Sequence, residues 1–265
     1  MSSFIHLSDL HINSNDLSDE NVALKKVVSC IIDKYSSEKP AILITGDLVD
    51  DGLESQYMNA RNILKPLVNE GFTILPAPGN HDYGLKGNVY TEAAQNRFQQ
   101  FIMRDLLNIP AADTSENIME DIYPFVYEDD EAVYYGIDTV VAAEDDFMHL
   151  AAGEVGQIQL EKFQNLLAAA SGEKTKIAYM HHHPFSRLIG FRMKDAQKVM
   201  EVMAEKIDIL CFGHKHVPEI WLDRDEIKWI IAADKTTRLQ RTMTFDFIHI
   251  EILDKNRFVI SKVRA

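Results

Sequence analysis

Six short apolar runs punctuate the chain, each stopping at a polar turn: FIHL (4–7), AILIT (41–45), FTILPAP (72–78), AVYYGID (132–138), KIAYM (176–180) and IDILCF (207–212). Their length and bounding turns predict strands. Between them, helical periodicity predicts helices at about 20–34, 54–70, 91–108, 154–170 and 194–205. Asp19 is the expected start of the first. Ile158, Phe163, Leu166 and Leu167 are the expected apolar positions of the fourth. Strands that alternate with helices imply an α/β fold with largely parallel pairing through crossovers. After Gly213 the pattern changes: EIWLD, KWIIAAD, FDFIHIEIL and RFVISKV follow one another with short gaps. The C-terminal fifth is therefore expected to be antiparallel sheet. Residues 1–265 read as a single domain, with a weakly patterned peripheral insertion at about 84–131. The acidic run YEDDEA (127–132) within it reads as a solvated face.

Composition narrows the function. With 46 % hydrophobic and 26 % charged residues, the chain should bury a full core. A formal charge of −14 argues against nucleic-acid binding through a basic surface. Two cysteines, Cys30 and Cys211, in segments that read as buried, cannot form a disulfide framework and fit a reducing compartment. No apolar stretch approaches a membrane span, and the N-terminus lacks the pattern of a secretory leader. The expectation is a cytoplasmic protein without a membrane partner.

Chemistry-bearing residues concentrate directly after the apolar runs. Ser8-Asp9-Leu10-His11 follows the first, Gly46-Asp47-Leu48-Val49-Asp50 the second and Gly79-Asn80-His81-Asp82 the third. His181-His182-His183-Pro184 and Gly213-His214-Lys215-His216 follow the last two. Ligands of open α/β sheets bind outside the carboxyl ends of the strands, so five loops should deliver these groups to one crevice. Histidine nitrogens, two carboxylates and an amide oxygen are too many donors for one tetrahedral zinc, and suit two divalent cations. Nitrogen and oxygen donors without thiolate favour manganese, iron, zinc or cobalt. Such a pair clamps a phosphate and supplies a hydroxide for in-line attack, so no serine or cysteine nucleophile is needed.

The ordered set D-x-H, GD-x-x-D, GNHD, H-H-H-P and GH-x-H, from Asp9 to His216, resembles the calcineurin-like metallophosphoesterases. It is most similar to their class III cyclic-nucleotide phosphodiesterase and glycerophosphodiesterase branch. The resemblance implies a four-layer α/β/β/α sandwich, two mixed sheets flanked by helices. It also implies that Asp9, His11 and His216 hold one metal, that Asn80, His181 and His214 hold the other, and that Asp47 bridges them. His81 would assist the leaving oxygen, with Asp82 orienting its ring. His181, first after its strand, is the expected ligand of the three consecutive histidines, with His182 the alternative if the register slips by one. His182 and His183 are otherwise assigned to substrate contact or to packing under the site. His149 and His249 have no motif behind them.

One position departs from the family pattern. Phosphoprotein phosphatases of the superfamily carry an arginine after the second aspartate of GD-x-x-D, where this chain has Asp51. Arg187 and Arg192 are the expected replacement anchors, ordinary surface charge being their other reading. The expected activity is hydrolysis of a small phosphodiester, a cyclic nucleotide or glycerophosphodiester, by metal-bound hydroxide. The alternatives are a nuclease, a phosphomonoesterase, or a non-catalytic scaffold on the same fold. The resemblance also admits a homo-oligomer.

Overall fold

A computed structural model describes residues 2–107, 122–140, 149–170, 172–238, 246–255 and 257–265. The six apolar runs are strands: β1 (Ser2–Leu7), β2 (Ala41–Thr45), β3 (Ile74–Ala77), β7 (Ala132–Gly136), β8 (Thr175–Tyr179) and β9 (Ile209–Phe212). Two-residue strands β4 (Gly84–Leu85) and β5 (Val89–Tyr90) form a small hairpin, and β6 is Phe125–Glu128. Four strands close the chain: β10 (Glu219–Arg224), β11 (Ile227–Ala232), β12 (Phe247–Asp254) and β13 (Arg257–Val263). Helices α1 (Asp19–Tyr35) and α2 (Glu54–Asn69) connect the first three strands. They are followed by α3 (Asn80–Tyr83), α4 (Glu92–Arg97), α5 (His149–Ala152), α6 (Gln157–Ala169) and α7 (Ala196–Met203).

The strands form two mixed sheets, ordered β13-β12-β1-β2-β3 and β10-β11-β9-β8-β7-β6. Alternation within each strand shows how they stack. Phe4, Leu43 and Leu75 of the first sheet share one core with Tyr134, Ile177, Tyr179, Ile209 and Cys211 of the second. Their neighbours Ile5, Ile42, Ile44 and Ile74 face Leu24, Val28, Ile63 and Leu64 on α1 and α2. Tyr135, Ala178, Leu210 and Phe212 face Phe163 of α6 and Val199 and Met203 of α7. Both faces of the central strands of each sheet are thus covered, which explains their nearly unbroken apolar sequence and establishes the α/β/β/α sandwich.

Several expectations need correction. The C-terminal strands do not make one antiparallel sheet. The β10-β11 hairpin extends the second sheet, with β11 parallel to β9, whereas the β12-β13 hairpin extends the first, with β12 antiparallel to β1. Antiparallel neighbours in sequence fixed the hairpins but not the sheet each one joins. In α6 the buried stripe is Leu160, Phe163 and Leu167, while Ile158 is 70 % exposed. At 100° per residue Ile158 lies on the opposite side of the helix from Leu160. Each buried member of the stripe contributes about 1.5–3 kcal/mol. Helix α1 does begin at Asp19, and Ser18 before it is the cap, its hydroxyl accepting from Asn21 N at 3.3 Å. The helix expected over 91–108 is α4 followed by a π-helical stretch, Phe98–Arg104, whose Phe98, Phe101 and Ile102 enter the core beneath α2. Asp129, in the acidic run, holds the turn between β6 and β7 by accepting from the backbone of Glu131 and Ala132. Cys30 is half-buried and Cys211 buried. Among the described residues, no helix is long and apolar enough to cross a membrane.

Just past β7, burial pushes the Asp138 carboxyl up to about 7, and it accepts from Tyr83 OH at 3.1 Å and Val140 N at 2.7 Å. A carboxyl whose folded pKa exceeds its unfolded value of 3.8 binds a proton only in the folded state between those limits. Its stabilising contribution is therefore present at low pH and lost as pH rises towards 7. Asp138→Asn keeps an oxygen for Val140 N and an amide for Tyr83. Its stability relative to the parent should grow by about 1–3 kcal/mol between pH 5 and 8 in urea unfolding. A pH-independent difference would contradict a neutral buried carboxyl.

Candidate metal centre

The turns after β1 and β2 run side by side and prolong the parallel pairing of those strands. Asp9 N donates to Gly46 O, His11 N to Asp47 O and Ile12 N to Leu48 O, at 2.9–3.0 Å. Along these turns the backbone enters the left-handed region at Asp9 (φ 54°), His11 (45°) and Asp47 (53°), and does so again at His214 (75°) and His216 (52°). Such conformations are uncommon outside glycine and asparagine and cost about 1–3 kcal/mol each. Five of the seven residues expected to bind metal share this strain, which turns their side chains inward.

The motif glycines allow the turns to interlock. Gly46 sits at φ +82°, and a side chain there would bring its Cβ to 2.5 Å from His181 Nδ1. A Cβ at Gly79 would strike the Asp47 carboxylate, and one at Gly213 would strike Ser8 and the Asp9 carboxylate.

The donor atoms converge in two groups around Asp47. In the first, His216 Nε2 lies 3.1 Å from Asp9 Oδ1 and 3.2 Å from His11 Nε2, which is 3.7 Å from Asp47 Oδ2. In the second, His181 Nε2 lies 3.0 Å from Asn80 Oδ1, 3.1 Å from His214 Nδ1 and 3.4 Å from the same Asp47 Oδ2. Neighbouring groups fix the ring orientations. His181 Nδ1 donates to Thr45 O at 2.8 Å, and His11 Nδ1 faces Asp50 Oδ1 at 3.3 Å, so each ring turns Nε2 inward. Asn80 Nδ2 donates to Gly87 O at 2.8 Å, aiming its oxygen the same way.

Each cluster brings together more lone pairs than the few donors beside it, Ser8 Oγ and His214 N to Asp9 and His81 N to Asp47, can satisfy, as a divalent cation requires. Electrostatics give the same answer. Burial opposes the charge on Asp9, but His216 and His181 outweigh it and hold the carboxyl at about 2. Asp47 is likewise well below the usual carboxylate range despite burial, through His181, His81 and His11. Burial lowers the His181 pKa, but Asp47 and Asp9 lift it to about 9. The carboxylates demand positive charge at the point where a cation would sit, and the residues present fit a pair of divalent ions.

His182 has no lone pair to offer. Its Nε2 donates to Leu150 O at 2.6 Å, so its Nδ1, 2.7 Å from Thr139 Oγ1, accepts from that hydroxyl. Burial and the neighbouring His214 and His181 push its pKa well down, which fits a neutral ring locked in one tautomer. Of the two readings of His182 and His183, substrate contact or packing under the site, their contacts fit packing. His183 is buried against Phe185, Phe212 and Trp221, with Nδ1 accepting from Phe185 N at 3.1 Å. Phe185, just after Pro184, joins this aromatic cluster. Arg192 lines a separate depression of about 570 Å³ with Phe185, Met200 and Arg224, and Arg187 is exposed. His249 lies in β12 against the Tyr35 ring, at 4.6 Å, and the side chain of His149 lies outside the described residues.

The expected pairing of Asp82 with His81 is also corrected. Asp82 is buried beneath the loop, accepting from Gly79 N at 2.8 Å and Val49 N at 3.1 Å. His81 Nδ1 instead donates to Asp50 O at 2.6 Å, while His81 N donates to Asp47 Oδ1 at 3.0 Å. Asp50 thus positions two imidazoles, His11 through its carboxylate and His81 through its carbonyl. The second aspartate of GD-x-x-D was its visible signal.

A second missed feature is Asp234–Arg238, after β11. Thr236 N donates to Ser8 O at 2.9 Å, Ser8 N to Thr236 Oγ1 at 3.0 Å and Thr237 Oγ1 to Leu10 O at 2.9 Å. Arg238, paired with Asp234 at 2.7 Å, donates to His216 O at 2.5 Å. This segment braces both turns that carry Asp9, His11 and His216, and no spacing motif marks it.

Comparisons with known proteins bear on the family and the fold. The sequence model described as calcineurin-like phosphoesterase matches residues 2–218. A probable cyclic nucleotide phosphodiesterase from Coxiella burnetii is 27 % identical over 220 residues, 79 % of this chain and 74 % of that relative. Another from Ruthia magnifica is 31 % identical over 119 residues, 43 % of this chain and only 47 % of that relative's length. The crystal structure of a dimetal phosphatase from Danio rerio superposes with a TM-score of 0.69 at 12 % identity, covering 98 % of this chain and 95 % of the other, a likeness of fold.

The tautomer argument separates adjacent histidines experimentally. Purified His181→Ala should carry about one metal per chain by elemental analysis, whereas His182→Asn should keep two. The reverse result would move the ligand by one residue.

Proposed function

We propose, from the premise that this chain belongs to the calcineurin-like phosphoesterase family, that it is a metal-dependent hydrolase of a small phosphodiester, a cyclic nucleotide in particular. Asp9, His11 and His216 would hold one divalent cation, Asn80, His181 and His214 the other, and Asp47 would join them. When bound, such a pair neutralises phosphate charge and brings the pKa of water towards neutrality. Mixed nitrogen and oxygen donors suit manganese, iron, zinc or cobalt.

The rim of the crevice supports the diester reading most directly. Where a phosphate-gripping arginine would stand, the chain has Asp51, beside the half-exposed Asp50. A phosphomonoester carries about −1.5 to −2 charges at neutral pH, whereas a diester has one ionised oxygen. A carboxylate at that position, with no arginine to offset a second negative charge, penalises the more highly charged substrate. The names of the Coxiella and Ruthia relatives point to the same class.

His81 is placed to handle a proton. With Nδ1 donating to Asp50 O, only Nε2 is free to face substrate. Burial disfavours the imidazolium, but the Asp47 carboxylate and the Asp50 carbonyl hold the pKa above its ordinary value. A protonated His81 can donate to a phosphate oxygen or to the departing alkoxide.

With manganese added, the protein should cleave bis(p-nitrophenyl) phosphate in preference to p-nitrophenyl phosphate. Asp51→Asn keeps an acceptor for Lys86 N, which Asp51 Oδ1 binds at 2.9 Å, and removes the charge. It should shift the ratio towards the monoester by roughly fivefold, the equivalent of about 1 kcal/mol of repulsion. Preference for the monoester in the parent protein would move the reading to a phosphatase, and hydrolysis of neither would remove its main support. His81→Ala should retain both metals and lose about 10²–10⁴ in turnover on diesters with poor leaving groups. An equal loss of metal and rate would make His81 a ligand instead.

A further inference from the structure

His214 has an aromatic neighbour, whereas His11 faces the Asp50 carboxylate. Phe191 ends a single 3-10 turn, Ile189–Phe191, and its ring centroid lies 5.4 Å from that of His214, with the planes at 53°. The ring is 43 % exposed, and Leu188 beside it is 60 % exposed. The turn is anchored at both ends. Ser186 N donates to His183 O and Phe191 N to Leu188 O, at 3.4 and 3.0 Å, while Met193 is buried and Lys194 N donates to Gly153 O at 3.0 Å. Phe191 is thus an apolar ring held out to solvent from a fixed backbone, in contact with an imidazole of the metal centre.

We infer that Phe191 is a specificity-determining residue that stacks the base of a nucleoside phosphodiester substrate while its phosphate lies at the metal centre. A nucleobase offers a flat π-face to any aromatic ring irrespective of its hydrogen-bonding pattern, and base–aromatic stacking commonly changes affinity by tenfold or more. A glycerol diester has no such face and gains little from an exposed phenyl ring. An uncharged base brings no charge beyond that of the single phosphate anion, and its flat face matches the Phe191 ring. This inference rests on the phosphodiesterase reading above and divides its two substrate classes.

The test compares 3′,5′-cyclic AMP with glycerophosphoglycerol, whose two arms are neutral and non-aromatic, in the manganese-loaded enzyme, using Phe191→Ala, Phe191→Leu and Phe191→Tyr with metal content measured for each. Phe191→Ala and Phe191→Leu should raise KM for cyclic AMP about tenfold with kcat within about twofold, and leave both constants for glycerophosphoglycerol unchanged. Phe191→Tyr, which keeps the ring, should remain close to the parent enzyme. Phe191→Leu keeps apolar cover over His214, so it separates stacking from packing even if Phe191→Ala loses metal. Equal changes for both substrates, no change for cyclic AMP, or a parent enzyme that cleaves only glycerophosphoglycerol would overturn the inference while leaving phosphodiester hydrolysis intact. A parent enzyme that cleaves no diester would overturn both.

Discussion

The structure depends on one carboxylate shared between two sets of lone pairs. Asp47 Oδ2 stands 3.7 Å from His11 Nε2 and 3.4 Å from His181 Nε2, and its Oδ1 accepts from His81 N. Burying that many acceptors together would be prohibitive unless positive charge joins them. The fold invests visibly in bringing them there, through left-handed backbone at five of the expected ligands and glycines that let one turn press on the next. Strain concentrated at convergent donors is characteristic of a site that the surrounding structure holds in readiness.

The two-sheet sandwich supplies that hold. Turns after β1, β2 and β3 come from one sheet, and turns after β8 and β9 come from the other. The two donor groups therefore meet across the end of the inter-sheet core. Asp50 and the Asp234–Arg238 segment work one layer out. The first sets two imidazole rings, and the second ties the Asp9–His11 turn to the carbonyl of His216. The wall chemistry then divides, acidic beside His11 and His81 and aromatic beside His214.

Much of this was legible in the sequence, because short apolar runs ending in Asp, Asn and His encode both the strands and the direction their ends face. The illegible parts have physical causes. Three consecutive histidines look alike on paper, but the partners of His182, Thr139 and Leu150, come from distant segments. Asp82 follows His81 in sequence, yet its carboxylate binds the backbone of Gly79 and Val49, and Asp50 reaches the ring instead. Ile158 misled because an apolar residue near a helix start need not lie on its buried stripe. The two C-terminal hairpins were recognisable, but their separation into different sheets depends on long-range pairing with β1 and β9 that local alternation does not specify.

The most direct test of a dinuclear centre built around Asp47 is an anomalous-difference map from crystals grown with manganese, collected near the manganese absorption edge. Two peaks about 3.5–4 Å apart, one among Asp9, His11 and His216, the other among Asn80, His181 and His214, and both within bonding distance of Asp47, are the expected result. A single peak, or one coordinated by His182 in place of His181, would contradict it.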